Sequence, residues 1–285
     1  MTSFRTWFTS GAPWVWLNAA AVSASIILVV GLLTLIAARG MGHFWPSAVY
    51  EIAYLGPDGE PSTIIGQQRT REAVRATRLR ESGLYVAEGV EKVVRILLKT
   101  GNRDISGEDF RWVLEPGIQA IAKPRDLVVL EREEWGVFFG RVAGLKQDGE
   151  VVETRNLWAD FQRRLERTAG LRKQIDRLED GEIGSINYRL ERLRLAERKL
   201  ELKGESDAAA FTEIESEKRA LKGRYQELES SLTELNRSIR RDTVIMRISD
   251  GTEAELPLSL IIEAWKPNEM GLVQRLGHYF HNVWR

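Results

Sequence analysis

The chain has 285 residues and a mass of 32.4 kDa, enough for one large domain or two ordinary ones. Its 41 Lys and Arg residues balance 41 Asp and Glu residues, which argues against a dedicated nucleic-acid-binding protein with a basic excess. The absence of cysteine excludes disulfides, thiolate metal sites and cysteine nucleophiles, and three histidines leave few candidates for histidine chemistry.

The first 45 residues differ sharply from the rest of the chain. They carry only two charges, Arg5 and Arg39, so 39 basic and 41 acidic residues, a net charge of −2, belong to residues 46–285. Residues 19–38 form an uncharged apolar run that, as a helix, would cover ~30 Å, the thickness of a bilayer's hydrocarbon core. We therefore predict a transmembrane helix at 19–38 after a short segment at 1–18.

Aromatic residues flank this run at both ends, as they do in the interfacial belts of spanning helices. The predicted membrane-interface anchors are Trp14, Trp16, Phe44 and Trp45. One alternative is a cleaved signal peptide, whose apolar region is usually only ~7–15 residues long. The other is a buried core helix, which is rarely so long and uncharged.

Residues 46–154 and 242–267 show short apolar runs between turn signals, which predict one small β-rich domain with short helices. The predicted strands lie at 49–55, 62–65, 127–131, 135–145, 151–152, 243–249 and 253–264. Within this region we expect a helix at 90–99, a loop at 101–107, and a short helix that begins near Glu108 and is capped by Ser106.

Residues 155–241 contain no proline and interleave opposite charges densely. In their second half, apolar residues recur alternately three and four positions apart, with Lys218 at the one vacant position, and this 3.5-residue period indicates a coiled coil. The predicted seam consists of Phe211, Ile214, Leu221, Tyr225, Leu228, Leu232, Leu235 and Ile239. The first half has similar apolar positions with a break at Gly181 and Gly184, and a reversal at 204–206, with Ser206 as the next cap, would fold the halves together.

The predicted fold class is membrane-anchored α+β, with one N-terminal transmembrane helix and a small β-rich domain into which a long antiparallel coiled-coil hairpin is inserted. Because a hairpin returns the chain to its start, the strands before Arg155 and after Arg241 can lie side by side. The alternative is a solvated helical bundle without a projecting arm. Residues 268–285 predict a further amphipathic helix whose apolar face would suit a membrane surface.

No catalytic pattern in the sequence is persuasive, since the glycine motifs of phosphate loops, dinucleotide folds and nucleophile elbows are absent. His278 and His281 are three residues apart and could share a helix face, but no third metal ligand lies nearby, so polar residues at a membrane interface are the simpler interpretation. Asn102 and Asp104 belong either to a polar site or, more simply, to a loop tip. We expect no enzymatic activity, no cofactor and no metal.

Short segments along nearly the whole chain form an ordered pattern. They are Trp7 with Phe8, Ser10 with Gly11, Pro13 with Trp14, the apolar run and then residues 39–46, residues 97–104, 130–136, 146–149 and 193–204, and Tyr279 with Phe280 before Trp284. In this order they resemble the A subunit of the phosphate ABC transporter permease in its extended proteobacterial form.

The resemblance implies a cytoplasmic amino terminus at 1–18, a first span, and a large insert in the periplasm, so that the protein would lie in the cell inner membrane. Besides the membrane, the implied partners are a second permease subunit, a cytoplasmic ATPase and a periplasmic phosphate-binding protein, which together import inorganic phosphate. Because the sequence ends where the family's permease core begins, we interpret it as an amino-terminal fragment or a truncated gene product, with residues 268–285 leading to the missing core.

A single span cannot enclose a polar path across lipid, so any part in phosphate transport requires partner subunits. The expected role is structural, as the anchor and docking insert of the permease subunit. The alternative is a single-span periplasmic adaptor that couples an inner-membrane pump to an outer partner, although the lipoyl-like half-motifs typical of adaptors are not evident at the hairpin roots. A third hypothesis, an enzyme, lacks a supporting pattern.

Overall fold

The structure, a computed structural model, describes residues 10–84, 86–203 and 208–284, and for residues 12, 41–44 and 203 it describes the backbone alone. Its elements fall into two compact units. One unit comprises Met1–Ser47 with Met270–Arg285, and the other comprises Ala48–Glu269.

A long apolar helix, α1 (Ala12–Phe44), makes up most of the first unit. It begins after Gly11, whose φ of 76° suits glycine, and has proline in its first turn, where the missing N–H costs nothing. The hydroxyls of Ser25 and Thr34 donate to carbonyls four residues earlier, which satisfies them without a partner outside the helix. Within it, Pro13–Gly40 is long and apolar enough to cross a membrane.

The second unit begins with a five-stranded antiparallel sheet, called here sheet one. Its strands are β1 (Tyr50–Leu55), β2 (Pro61–Arg75), β3 (Lys92–Lys99), β4 (Phe110–Leu114) and β5 (Ile118–Ala122), in the order β4-β3-β2-β1-β5. A short helix, α2 (Ala76–Glu81), follows β2. One buried cluster lies on this sheet and consists of Ile52, Tyr54, Ile64, Ile96, Leu98 and Val113.

Two predictions for this region are wrong. Residues 90–99 do not form a helix, because the apolar run at 93–98 becomes the inner strand β3, paired with both β2 and β4. The expected helix near Glu108 is also absent. A single turn, α3 (Arg103–Ser106), precedes that point, and the Ser106 hydroxyl closes it by donating to the carbonyls of Asn102 and Glu108.

A second antiparallel sheet, sheet two, completes the strands. It contains β6 (Val128–Arg132), β7 (Val137–Gln147), β8 (Glu150–Val151), β9 (Asp242–Arg247), β10 (Glu253–Pro257) and β11 (Ile261–Trp265), in the order β10-β9-β7-β6-β11, with β8 paired to β7. The sequence predicts that strands before Arg155 and after Arg241 lie side by side, and this is confirmed. Strands β7 and β9 pair antiparallel, with Gln147 opposite Asp242.

One further prediction fails in sheet two. Residues 253–264 are not a single strand, because the 3-10 turn Leu258–Leu260 interrupts them. The turn carries the chain from one edge of the sheet, at β10, to the opposite edge, at β11. Leu258 is fully buried, so this crossing is fixed by the core of sheet two.

Between β8 and β9 lie three helices, α4 (Leu157–Asp176), α5 (Gly184–Lys203) and α6 (Ala208–Ile239). The break predicted at Gly181 and Gly184 is instead a π-helical segment, Arg177–Ile183, through which the helical path continues from α4 into α5. Phe161 and Leu165 of α4 are buried in the core of sheet two. The predicted reversal at 204–206, including the proposed cap Ser206, lies outside the described residues.

The last element is helix α7 (Leu272–Trp284), which belongs to the first unit with α1. It corresponds to the amphipathic helix predicted within 268–285, and it begins four residues later than predicted. The side-chain oxygen of Gln274 accepts a hydrogen bond from the Gly271 N–H (2.9 Å), which satisfies one of the free amides before the helix.

Candidate functional site

The predicted membrane-interface anchors lie at the two ends of α1. Near its start, the side chains of Trp14 and Trp16 are exposed. Near its end, Phe44 is the last helical residue, and its side chain lies outside the described part of the structure. Trp45 is half-buried, with its ring 6.3 Å from that of Tyr279 in α7.

Helix α7 presents its polar side inward, within the unit it shares with α1. Arg275 donates from its guanidinium to the carbonyl of Pro46 (3.2 Å), just beyond the end of α1. His278 is only 8% exposed, and its Nε2 lies 3.0 Å from Nδ2 of Asn282. A helix in a water-soluble domain normally buries its apolar side, so this orientation is reversed.

The two histidines of α7 do not form a shared metal-binding face. His278 points inward and is hydrogen-bonded to Asn282, whereas His281 is exposed. Over the described residues, there is no group of three or more His, Cys, Asp or Glu side chains that could hold a metal ion.

The eight predicted seam residues of α6 are all buried or half-buried, while most of the residues between them are exposed. Two ion pairs connect α6 to the helices before it, Arg224 to Glu182 (2.8 Å) and Glu217 to Arg189 (2.6 Å). Residue numbers therefore rise along one partner as they fall along the other, so these helices run antiparallel. The predicted reversal between α5 and α6 requires this arrangement.

A polar cluster occupies the vacant seam position. The Lys218 ammonium contacts Glu197 of α5 (2.6 Å) and Glu215 of its own helix (3.1 Å), and the Lys218 side chain is 16% exposed. The hydrogen bond that Lys218 donates to Glu197, followed by the one it donates to Glu215, raises the pKa of Lys218. Sequence reasoning found Lys218 but missed Glu197, although the apolar positions Ile186, Leu190, Leu193 and Leu200 leave 197 as the corresponding gap in α5.

At the root of the helical insertion, one buried carboxylate joins three guanidinium groups. The Asp242 side chain, 1% exposed at the start of β9, contacts Arg164 (2.5 Å), Arg167 (2.9 Å) and Arg241 (3.1 Å). Arg164 also binds Asp160 and the side chain of Gln147. These contacts fix the first turns of α4 against the strand where the chain re-enters sheet two.

The loop at 101–107 is tied to sheet two, so it is more than a loop tip. Asn102 has a positive φ of 59°, and its side-chain amide exchanges two hydrogen bonds of 2.9 Å with the backbone of Phe139. Gly101 precedes it with a φ of 59°, and a Cβ there would lie 2.4 Å from the carbonyl oxygen of Val137. Only glycine fits this approach.

A bidentate ion pair closes the same junction. Both carboxylate oxygens of Asp104 accept from the Arg132 guanidinium, at 2.7 and 2.8 Å, and the Arg132 side chain is only 4% exposed. Arg132 also donates to the carbonyls of Trp135 and Gly136. The hydrogen bond from Arg132 lowers the pKa of Asp104. The Asp104–Arg132 pair joins the loop before β4 to sheet two, and the other two bonds brace the turn between β6 and β7, so all of these contacts have a structural role.

Comparison of the chain with protein-family models, with curated proteins and with solved structures finds no match.

Proposed function

We propose that this chain is the membrane anchor and extracytoplasmic insert of a phosphate-import ABC transporter permease subunit, with a structural and docking role. In this proposal α1 spans the cell inner membrane, and the unit Ala48–Glu269 lies in the periplasm. Phosphate moves only through the permease core and the partner subunits, because one span cannot enclose a polar path.

One observation carries the proposal. Two of the segments that resemble the permease subunit, residues 97–104 and 130–136, meet in space through the Asp104–Arg132 ion pair, although 28 positions separate the two residues. Two segments that resemble a family and also contact each other support a shared fold more strongly than resembling segments scattered over a surface. The Arg132 guanidinium in this contact is nearly buried, and both carboxylate oxygens of the more accessible Asp104 accept from it, which suits a structural contact.

The exposed apolar surface of α1 supports the anchor. Its large apolar side chains are exposed along the helix, among them Ile26, Leu28, Val30, Leu32 and Ile36. Exposed apolar area costs roughly 25 cal/mol per Å² in water, whereas a bilayer core offers an apolar solvent of matching thickness.

The second candidate is a single-span periplasmic adaptor, and one observation favours it. Helices α4 to α6 are inserted between two strands of one sheet, with an antiparallel pair of helices emerging from the root at Asp242. A long antiparallel coiled-coil arm on a β-rich body would suit a protein that bridges two membranes. We rank it second because the resembling segments extend through the body and into α7.

Affinity purification from the native membrane separates the two candidates. A tag on the full chain, solubilised in mild detergent, is expected to recover the second permease subunit and the cytoplasmic ATPase, and a strain that lacks the chain is expected to import labelled phosphate more slowly. Recovery of an outer-membrane channel instead would favour the adaptor. A chain that purifies alone, from cells whose phosphate import does not depend on it, would refute the proposed function.

A further inference from the structure

Helix α7 has one continuous apolar side that the described part of the chain leaves uncovered. The exposed apolar residues are Leu272, Val273, Leu276, Phe280, Val283 and Trp284. At 100° per residue these positions fall within an arc of roughly 120° on the helix surface. Val273 is 81% exposed and Trp284 is 88% exposed, so the outer part of this arc makes little contact with the described residues.

The opposite side of α7 contains the polar residues, and these face the protein. Arg275, His278 and Asn282 lie three or four positions apart, and their contacts are with Pro46, with each other and with the start of the helix. Arg275 is the only side chain with a full charge between residues 272 and 284. The exposed apolar arc therefore contains no Asp, Glu, Lys or Arg.

The surroundings of α7 indicate what covers this arc. The helix contacts the chain at Trp45 and Pro46, directly after the apolar helix α1, within the same compact unit. If α1 spans a bilayer, this contact lies at the level where the span meets the interface, and tryptophan and tyrosine are enriched there. The 13 residues of α7 extend ~20 Å, which is less than the ~30 Å of a hydrocarbon core.

We infer that α7 lies in the plane of the membrane interface, with its apolar arc in the lipid and its polar side packed against the end of the span. Together α1 and α7 form a two-helix anchor, in which α7 fixes the depth and tilt at which the chain leaves the membrane. This inference rests on the membrane insertion of α1, which belongs to the proposed function, but not on phosphate transport.

The natural lack of cysteine makes a direct test possible. Leu276→Cys and Phe280→Cys place a nitroxide label on the apolar arc, and His281→Cys places one on an exposed polar neighbour as the matched control. Ile27→Cys reports on the middle of α1. All four side chains are exposed, so no buried contact is lost. Each full-length variant is reconstituted in vesicles of phosphatidylethanolamine and phosphatidylglycerol, and collision rates with oxygen and with a water-soluble nickel chelate are measured.

We expect the ratio of oxygen to nickel collision rates to be several-fold higher at residues 276 and 280 than at 281, with a shallower depth than at residue 27. Lipid exposure at 27 with water exposure at 276 and 280 would overturn this inference alone. Labels at 276 and 280 that neither reagent reaches would indicate a protein partner or a second copy, and would also overturn it. Water exposure at all four positions would refute the membrane anchor as well.

Discussion

At the scale of single residues, the polar side chains of the Ala48–Glu269 unit serve mainly as connections between elements. Arg141 of β7 binds Glu51 of β1 through two contacts of 2.9 and 3.0 Å, as Arg132 binds Asp104. The sequence shows that such residues are charged but does not show their partners. Contacts between residues so far apart in the chain produce no regular spacing that could be recognised in the sequence. Asn102 is the clearest case, since its neighbours Gly101 and Asp104 indicate a turn, whereas its side chain extends the hydrogen bonding of a strand.

Replacing Asp104 with Asn should destabilise this unit. The change leaves the nearly buried Arg132 guanidinium without its counter-charge, but Asp104 is partly accessible to solvent, so the cost should lie between those of surface and buried pairs, at about 1–2 kcal/mol. The full chain in detergent micelles, unfolded by heat and followed by tryptophan fluorescence, provides the measurement at pH 7. Glu134→Gln removes the same charge from an exposed site two residues from Arg132 and should change the midpoint little.

The same pair should also make stability depend on pH in the acid range. Because Arg132 lowers the pKa of Asp104 in the folded state, the stabilisation is complete above the unfolded carboxyl's pKa of ~3.9 and is lost as the pH falls through the lower folded value. The difference in stability between the native chain and the Asp104→Asn variant should therefore become smaller below about pH 4. A gap that stays constant down to pH 2 would show that the pair contributes no such linkage.

At the scale of elements, the long helices were easier to predict than the short strands. The seam of α6 repeats over about four heptads, from Phe211 to Ile239, which gives a strong periodic signal, and each predicted seam side chain is buried or half-buried. Residues 93–98 form a short apolar run that fits a buried strand or a buried helix equally well. β3 is a strand because it pairs on both sides, with β2 and with β4. No short hairpin turn connects it to either partner, so the sequence near β3 does not reveal the pairing.

The Lys218–Glu197 pair should set the alignment of α5 and α6 at a cost to stability. Lys218→Leu alone leaves Glu197 facing an apolar side chain and should loosen the two helices. The double variant Glu197→Leu with Lys218→Leu gives a continuous apolar seam and should be more stable than the native chain. Hydrogen exchange of peptides from α5 and α6 in the full chain should show the least protection in the single variant, more in the native chain and the most in the double variant. A single variant at least as protected as the native chain would contradict this role.

At the scale of the whole molecule, the helical insertion has two parts. Its root, the first turns of α4 around Phe161 and Leu165, packs on sheet two, whereas in its outer part, which includes residues 183–223, the described residues do not. The core of sheet two includes Phe161 and Leu165 near the start of α4 and resumes at Val244, and within the described residues no member of this core lies between 166 and 243. The pairing of β7 with β9 closes the sheet around the root. The outer part is therefore free to serve a partner without contributing to the core of the body.

Removing the outer part should leave the body folded. The side chains of Glu182 and Arg224 meet at 2.8 Å, so the two residues lie on neighbouring helices, whose axes pack about 10 Å apart. A flexible loop of about four residues can span roughly 13 Å and can therefore join these two positions in place of residues 183–223. All nine tryptophans remain, so the fluorescence signal can be compared directly with that of the native chain. We expect the unfolding midpoint to shift by only a few degrees, since the root contacts of Asp242 and the buried Phe161 are unchanged.

The trimmed chain also tests what the outer part is for. Because α1 and α7 are intact, it should still reach the membrane, but it should recover less of its partners than a full-length control that carries the Glu197→Leu and Lys218→Leu pair. The control keeps the length of the helices while changing their seam, so it separates loss of the arm from loss of its native polar contact. If the trimmed chain recovered its partners as well as the control, the docking role would belong to the sheets or the anchor and not to the helices. If its body unfolded far below the native midpoint, the division into root and outer part would be wrong.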